Sequence, residues 1–594
     1  MQINGATALI RALEDLGVKR IFGIPGVQNI EIYDALLASH IEHVLVRHEQ
    51  AAVHMADGYA RATGGVGVVF ATSGPGATNT VTGIATAYMD SVPVIVITGQ
   101  VHTTSIGTDA FQEADITTIT LPITKHSYLL KDVDALVPAV FEAFYLATSG
   151  RPGPVLIDIP GNVAAAETSY HKPSAAPTLP SYKPTIKGNA RQVKAAAELI
   201  AAAKWPVLLA GGGVVSSNAS KEVLALAEQA QIPVVTTLMA KGVLAAAHPL
   251  LLGQPGVYGT PQANAALHEA DLIIAVGTRF SERATADADH YAPRAKIVHI
   301  DIDPAEIGKN IRVDVPIVGD AATVLGALSE RLEKTRRPVL QEGESLAATS
   351  LPSSGSSPEA PPGVSAEVPV EAPAKAPAEA PAEAPAKAPA NNGLYLNTTH
   401  RVFSVFNELL KACEDVIITT DVGQHQLWAS HLLDASKPRK FLTSGGLGTM
   451  GFGMPAAIGA QLAFPESLVV CISGDGSFQM NVQEMATAVD LKLPIKVAII
   501  NNHSLGLVRQ WQELFLEHRF SHTLLANTPD YVKLAEAYQW QGRRIDTKGE
   551  ANNLKDNLRW LLKSEGPALL EIVVPTPDLV EPMIKPGGTL TELV

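Results

Sequence analysis

At about 150 residues per domain, a chain of 594 residues has room for roughly four units, and its 46% hydrophobic and 18% charged content excludes a mostly disordered protein. Lys plus Arg number 45 against 59 Asp plus Glu, giving a net charge of −14 and no basic stripe of the kind that binds nucleic acid. The two cysteines, Cys413 and Cys471, exclude a disulfide framework and a Cys-rich metal site, and they fit a reducing compartment.

The N-terminus has no basic segment followed by an apolar one, and the longest apolar stretches (92–98, 468–472) are too short to span a bilayer. A cytoplasmic protein without membrane contact is expected. Strand-like runs at 20–23, 43–46, 67–71, 92–98 and 154–159 alternate with helical patterns at 6–16, 30–39, 49–63 and 134–148. Such alternation predicts a parallel sheet covered by helices on both faces. A second α/β unit follows, with strands at 206–210, 234–236, 272–276 and 297–300. A third has strands at 416–420, 468–473, 495–501 and 568–574. The fold class expected is therefore α/β with three doubly wound parallel-sheet domains, at 1–170, 187–335 and 393–575, followed by a tail at 576–594. Between the second and third lies 336–392, where Pro373, Pro377, Pro381, Pro385 and Pro389 recur every fourth residue among Ala, Glu and Lys. Proline at that density removes helix donors, so an extended linker without chemistry is expected.

The third unit carries the sharpest motif. Gly474-Asp475-Gly476-Ser477 follows one apolar run, and Asn501-Asn502 follows the next, with Asp475 and Asn502 27 residues apart. A strand–helix–strand crossover fits that distance. Both side chains then arrive at the carboxyl ends of neighbouring parallel strands, where open α/β sheets bind ligands. A carboxylate, an amide oxygen and a nearby carbonyl make an oxygen-rich site suited to Mg²⁺ beside a diphosphate. Alone, the tetrapeptide is equally a tight turn. The spaced Asn-Asn favours function.

These residues resemble the thiamin-diphosphate fingerprint. Arg47–Ala52, Thr72–Ala77, Gly107–Glu113, Asp421–Gln426, Gly445–Pro455 and Gln510-Trp511-Gln512 extend the resemblance over most of the chain, toward the acetohydroxyacid synthases. It implies pyrimidine-binding, central FAD-type and diphosphate-binding domains. It also implies Mg²⁺ on Asp475, Asn502 and Ser504. Glu49 would tune the pyrimidine of the coenzyme. Val422, Gly423, Gln424 and His425, with Gly448, Met450, Gly474, Gly476, Ser477, Met480, Leu505 and Gly506, would surround the rest of it. Phe111 and Gln112 would line the catalytic pocket, and Lys125 its access channel. Arg283 would take the carboxylate of the second 2-ketoacid and Trp511 its alkyl group.

For FAD the resemblance implies Arg151, Gly211, Gly212, Gly213, Thr237, Leu238, Met239, Gly277, Arg279, Asp301, Asp303, Ile307 and Asp320. The chain departs from the pattern at Val257-Tyr258-Gly259, where Met-His-Gly is usual, and at Ser281-Glu282, where two Asp are usual. The activity implied is decarboxylation of pyruvate and transfer of the hydroxyethyl group to pyruvate or 2-ketobutyrate, toward branched-chain amino acids. The site would form between subunits of a homodimer or homotetramer, and a regulatory small subunit could join it. Two other readings stand beside this one: a flavin-independent thiamin-diphosphate decarboxylase or carboligase, and a non-catalytic scaffold.

Overall fold

The computed structural model describes residues 2–332, 397–435, 437–548 and 553–594. The linker expected at 336–392 lies outside them. Three six-stranded sheets, each wholly parallel, are wrapped by helices on both faces. Their inner strands are continuous apolar runs because both sheet faces are covered. Val94–Gln100 and Val155–Pro160, for example, are buried at every position. A two-stranded antiparallel pair, Gln2–Asn4 with Glu167–Ser169, ties the start of the N-terminal unit to its end.

The N-terminal sheet runs Glu42–Leu45, Arg20–Gly23, Gly67–Ala71, Val94–Gln100, Val155–Pro160, His126–Leu129. The C-terminal sheet runs Phe441–Leu442, Val416–Thr420, Leu468–Gly474, Lys496–Asn501, Ala568–Val573, Gln541–Asp546. In chain rank both orders are second, first, third, fourth, sixth, fifth, so the two units are topological copies. The central sheet instead runs third, second, first, fourth, fifth, sixth, from Leu251–Gly253 to Val315–Val318. That is the dinucleotide-binding order. In each sheet the order reverses between two inner strands, and the loops leaving their carboxyl ends open a crevice there.

Helix Glu49–Thr63 is buried nearly all round, since it lies between its own sheet and helix Gly453–Ala463 of the C-terminal unit. Small residues permit this crossing. A Cβ on Gly459 would enter the carbonyl of Met55, and one on Gly58 would enter that of Ala456. The N-terminal and C-terminal units therefore share one apolar core, in which Ala52, Val53 and Met55 pack with Met454, Ala457 and Ile458.

Candidate active site

Asp475 begins the turn after strand Leu468–Gly474, at the reversal point of the C-terminal sheet. It is 2% exposed, and its Oδ2 has no hydrogen-bond partner among the described residues. Burial pushes its carboxyl up to about 7. Ser504 Oγ and His425 Nε2 are likewise buried without partners, and burial holds the His425 ring neutral, down at about 3. Such unsatisfied groups are costly unless a ligand completes them. Asn502 Nδ2 donates to Gln424 Oε1 at 2.9 Å, and Asn502 Oδ1 accepts the Ser504 N–H at 3.2 Å. Among the described residues no group of three or more His, Cys, Asp or Glu could hold a metal. The donor set at Asp475 thus has one carboxylate, one amide oxygen and backbone carbonyls, which suits a hard cation sharing a diphosphate.

Polar side chains build the walls of this crevice. Asp421, fully buried, accepts the Gly451 N–H at 2.6 Å and the Ser473 hydroxyl at 3.0 Å, so it ties the loop at Gly451 to the end of strand Leu468–Gly474. Gln424 Nε2 donates to Gln510 Oε1 at 2.9 Å, and Gln510 in turn exchanges two 3.0 Å bonds with the backbone of Val580. A Cβ on Gly506 would collide with Gln424 and Asn502, which closes helix Gly506–Phe515 onto the site. Met450 reaches toward Gly476, within 3.8 Å of where its Cβ would stand, and Leu505 packs on the same glycine. Met480 is 52% exposed beside Gly451. Gly474 and Ser477 close the turn, with Gly474 N–H donating to Ser477 Oγ at 3.1 Å. Val422, Gly423 and Gly448 lie in the loops entering this crevice.

Glu49 is the first residue of helix Glu49–Thr63 and is 9% exposed. His48 caps the helix by accepting the Gln50 N–H at 3.1 Å. The Glu49 carboxylate accepts from Asn79 Nδ2 at 2.9 Å and faces Gly76 in the turn after strand Gly67–Ala71. Gln112 packs its backbone against Gly74 in the same turn, with φ of 61°, while Phe111 beside it is 87% exposed. Lys125 sits elsewhere. Its ammonium donates to the carbonyls of Leu146 and Ser149 and to Tyr182 Oη, closing the end of helix Leu136–Thr148. The Glu49 and Asp475 groups are not joined by a hydrogen bond among the described residues.

The structure does bring Arg283 and Trp511 together. Tyr258 Oη accepts the Trp511 indole N–H at 3.1 Å, and the Arg283 guanidinium lies 5.8 Å from the centre of the Tyr258 ring. Arg283 is exposed and makes no ion pair among the described residues. A cation and an indole therefore share one aromatic platform.

Residues 3–119 match the family described as thiamine pyrophosphate enzyme, N-terminal TPP binding domain. Residues 193–328 match its central domain and 421–572 its C-terminal TPP binding domain. The chain belongs to the thiamine pyrophosphate enzymes. It is 47% identical to a probable acetolactate synthase large subunit of Methanocaldococcus jannaschii, over 100% of this chain and 95% of the relative. It is 44% identical to an acetolactate synthase of Arthrospira platensis, covering 100% and 98%. With an acetolactate synthase large subunit of Corynebacterium glutamicum the identity is 44%, covering 100% and 90%. Within the thiamine pyrophosphate enzymes, the chain falls in the acetolactate synthase branch.

In the central domain of this family member, the Gly211 and Gly277 turns meet at the reversal point of the sheet. A Cβ on either would enter the backbone of the opposing turn, and Gly213 N–H donates to Gly277 O at 3.0 Å. Met239 lies between Gly212 and Gly445, following Thr237 and Leu238 in the same loop. Asp301 ends strand Lys296–Asp301, where burial pushes its carboxyl up to about 6, and its Oδ1 accepts the Asp303 N–H at 2.9 Å. Arg151 reaches across from the N-terminal unit to Glu306 at 2.7 Å and Asp303 at 3.2 Å, beside Ile307. The Arg279 carbonyl accepts from Asn310 Nδ2 at 2.9 Å. Asp320 caps helix Ala321–Arg331 and accepts the Ser217 hydroxyl at 2.6 Å, a local structural task.

Proposed function

We propose that this chain is the catalytic subunit of an acetolactate synthase, joining pyruvate to a second pyruvate or to 2-ketobutyrate with loss of CO₂. Bound thiamin diphosphate supplies a nucleophilic carbon and an electron sink for the decarboxylation. Asp475, Asn502 and the Ser504 backbone hold Mg²⁺ against its diphosphate. The orphaned Asp475 oxygen supports this assignment. A cation there would remove the cost of a buried lone carboxylate. Glu49 holds a proton at the pyrimidine ring nitrogen, and Asn79 fixes the carboxylate in place for that task. Gln424 and His425 border the diphosphate, and Met450 supports the thiazolium side.

Arg283 takes the carboxylate of the acceptor, and the Trp511 indole walls its alkyl group. The observation that carries the carboligase reading is this pair on the Tyr258 platform. A decarboxylase that merely protonates its product has no second carboxylate to hold.

Val27, Ile30 and Phe111 are exposed in the N-terminal unit that carries Glu49, and Leu447, Met480, Val508 and Leu524 are exposed in the C-terminal unit that carries Asp475. Exposed apolar groups on the units carrying the two half-sites support assembly of each complete site from two copies of the chain. FAD in the central domain is supported by the sheet order and the glycine turns at its reversal point. Two pyruvates yield acetolactate and CO₂ without net oxidation, so the flavin has no redox task in the overall reaction. Among the described residues no helix is long and apolar enough to cross a membrane. Unpaired Cys413 and Cys471 support a cytoplasmic setting.

The test is turnover of pyruvate alone and with 2-ketobutyrate, omitting thiamin diphosphate, Mg²⁺ and FAD in turn. Acetolactate and 2-aceto-2-hydroxybutyrate are expected, dependent on the first two cofactors. Acetaldehyde as the main product would overturn the reading.

A further inference from the structure

Arg283 belongs to the central unit and Trp511 to the C-terminal unit, so the distance between them depends on how two sheets are aligned. Tyr258 touches both. It stands in a segment from the central unit that is itself held from two sides. Val257 N–H donates to the Arg283 carbonyl at 3.0 Å, and Ile584 N–H donates to the Val257 carbonyl at 2.8 Å. The backbone turns at Gly256 with φ of 100°, and a Cβ there would enter the Arg283 carbonyl, so the segment lies flush against residue 283. Tyr258 is 5% exposed, and the His431 ring hydrogen-bonds its backbone. Its ring has little freedom.

The indole N–H is the only hydrogen-bonding group on a tryptophan side chain. The bond to Tyr258 Oη therefore fixes which edge of Trp511 is turned toward the platform, while Phe515 holds the ring edge-on at a centroid distance of 5.3 Å. The guanidinium of Arg283 lies over the same phenol, within cation–π range.

We infer that Tyr258 is a positioning residue for acceptor choice, setting the separation between the cation that binds the second carboxylate and the indole that measures its alkyl group. This rests on the proposed carboligase function and deepens it. In this assignment the platform serves the second 2-ketoacid, since the first loses its carboxylate as CO₂ and needs no lasting cation there. Loss of the phenolic hydroxyl consequently alters which acceptor is taken and leaves the decarboxylation of the donor intact.

The experiment compares the holoenzyme with Tyr258→Phe, Trp511→Phe and the double variant. Three quantities are read: CO₂ release from pyruvate in a single turnover, the product ratio with pyruvate and 2-ketobutyrate competing, and the thermal midpoint. Tyr258→Phe keeps the ring under Arg283 and removes the hydroxyl that accepts the indole N–H and also meets the Arg283 guanidinium. A shift of at least about fivefold in product ratio is expected, the worth of the indole bond alone, with the single-turnover rate unchanged. Trp511→Phe removes the donor of the same bond, so the double variant adds no further shift from that bond. An unchanged product ratio in Tyr258→Phe overturns the inference, as do two shifts that simply multiply. If Tyr258→Phe does not fold, Tyr258→His, which keeps a ring but displaces its polar atom from the indole N–H, is read in its place, and an unchanged product ratio there overturns the inference. A wild-type enzyme that releases acetaldehyde instead of a ligated acid overturns the proposed function itself, a distinct outcome of the same assay.

Discussion

Asp90 Oδ1 accepts the backbone N–H of Gly446 at 2.7 Å, and by this bond the N-terminal unit holds the loop that carries Met450. Asp90 Oδ2 accepts from Gly445 N–H and from Arg61, each at 3.0 Å, and Arg61 also pairs with Asp57 one turn back along its helix. Thr86 and Thr449 add a 2.7 Å hydroxyl contact between the same two units. Both carboxylates are fully buried, and Arg61 nearly so. Asp90→Asn leaves Arg61 paired with Asp57, so the loss is that of buried hydrogen bonds to a charged group, each worth about 1.5–3 kcal/mol. Asp90→Asn is expected to reduce the free energy of unfolding by an amount of that order, read from a denaturant titration. It should also weaken thiamin diphosphate binding, since the Gly445–Met450 loop loses its anchor. Coenzyme titration before and after the substitution checks the second half, and unchanged affinity would count against the coupling.

Glu49→Gln replaces the carboxylate with an isosteric amide that still accepts from Asn79. The fold should be unaffected. Pyruvate turnover and exchange of the coenzyme C2 proton should fall by about 10²–10⁴, the usual contribution of a positioned acid–base group. Coenzyme binding through the Asp475 crevice should persist. Normal proton exchange in this variant would remove Glu49 from the mechanism.

The inner strands were legible because each is a continuous apolar run between two covering layers. The runs at 206–210, 272–276 and 416–420 coincide with the strands Pro206–Ala210, Leu272–Val276 and Val416–Thr420. The strands that pattern reading missed inside the three sheets, His126–Leu129, Leu251–Gly253, Val315–Val318, Phe441–Leu442 and Gln541–Asp546, all stand at sheet edges. An edge strand needs no such run, and the last of them, Gln-Gly-Arg-Arg-Ile-Asp, buries only Ile545. The spacing of Asp475 and Asn502 along one crossover matches their places after the neighbouring parallel strands Leu468–Gly474 and Lys496–Asn501. The partnership of Tyr258 with Trp511 joins residues 253 apart, and no local period encodes it. Lys125 illustrates the converse, as a position suggested by resemblance whose ammonium is taken up by the end of a neighbouring helix.

A buried carboxyl in the N-terminal sheet gives a pH prediction. Asp158 accepts from Thr98 Oγ at 2.6 Å and Gln100 Nε2 at 2.8 Å, and burial pushes its carboxyl up to about 7, well above the ordinary Asp value of about 3.9. Between those values the folded chain holds a proton that the unfolded chain releases. Stability from this group is thus fully present at acid pH and declines as pH rises through 7. Asp158→Asn, which cannot ionise, is expected to show a flatter pH dependence of unfolding between pH 4 and 7 than the wild type. Parallel curves for the two proteins would show that Asp158 does not titrate in that window.

Trp511→Leu tests the alkyl wall. The indole is half-buried, packed against Phe515 and bonded to Tyr258. Leucine keeps an apolar surface but is smaller and has no N–H, so the pocket widens and the Tyr258 hydroxyl loses its donor. Neither change touches Glu49 or the Asp475 crevice. Acetolactate formation from pyruvate alone should therefore survive. Preference for 2-ketobutyrate over pyruvate should be lost, because one methylene in an apolar pocket is worth only about 1–3 kcal/mol and depends on close contact with the wall. Competition between the two acceptors at equal concentration, read as the ratio of the two acetohydroxy acids, checks this. A ratio unchanged from the wild type would mean that the alkyl group of the acceptor is measured by some other wall.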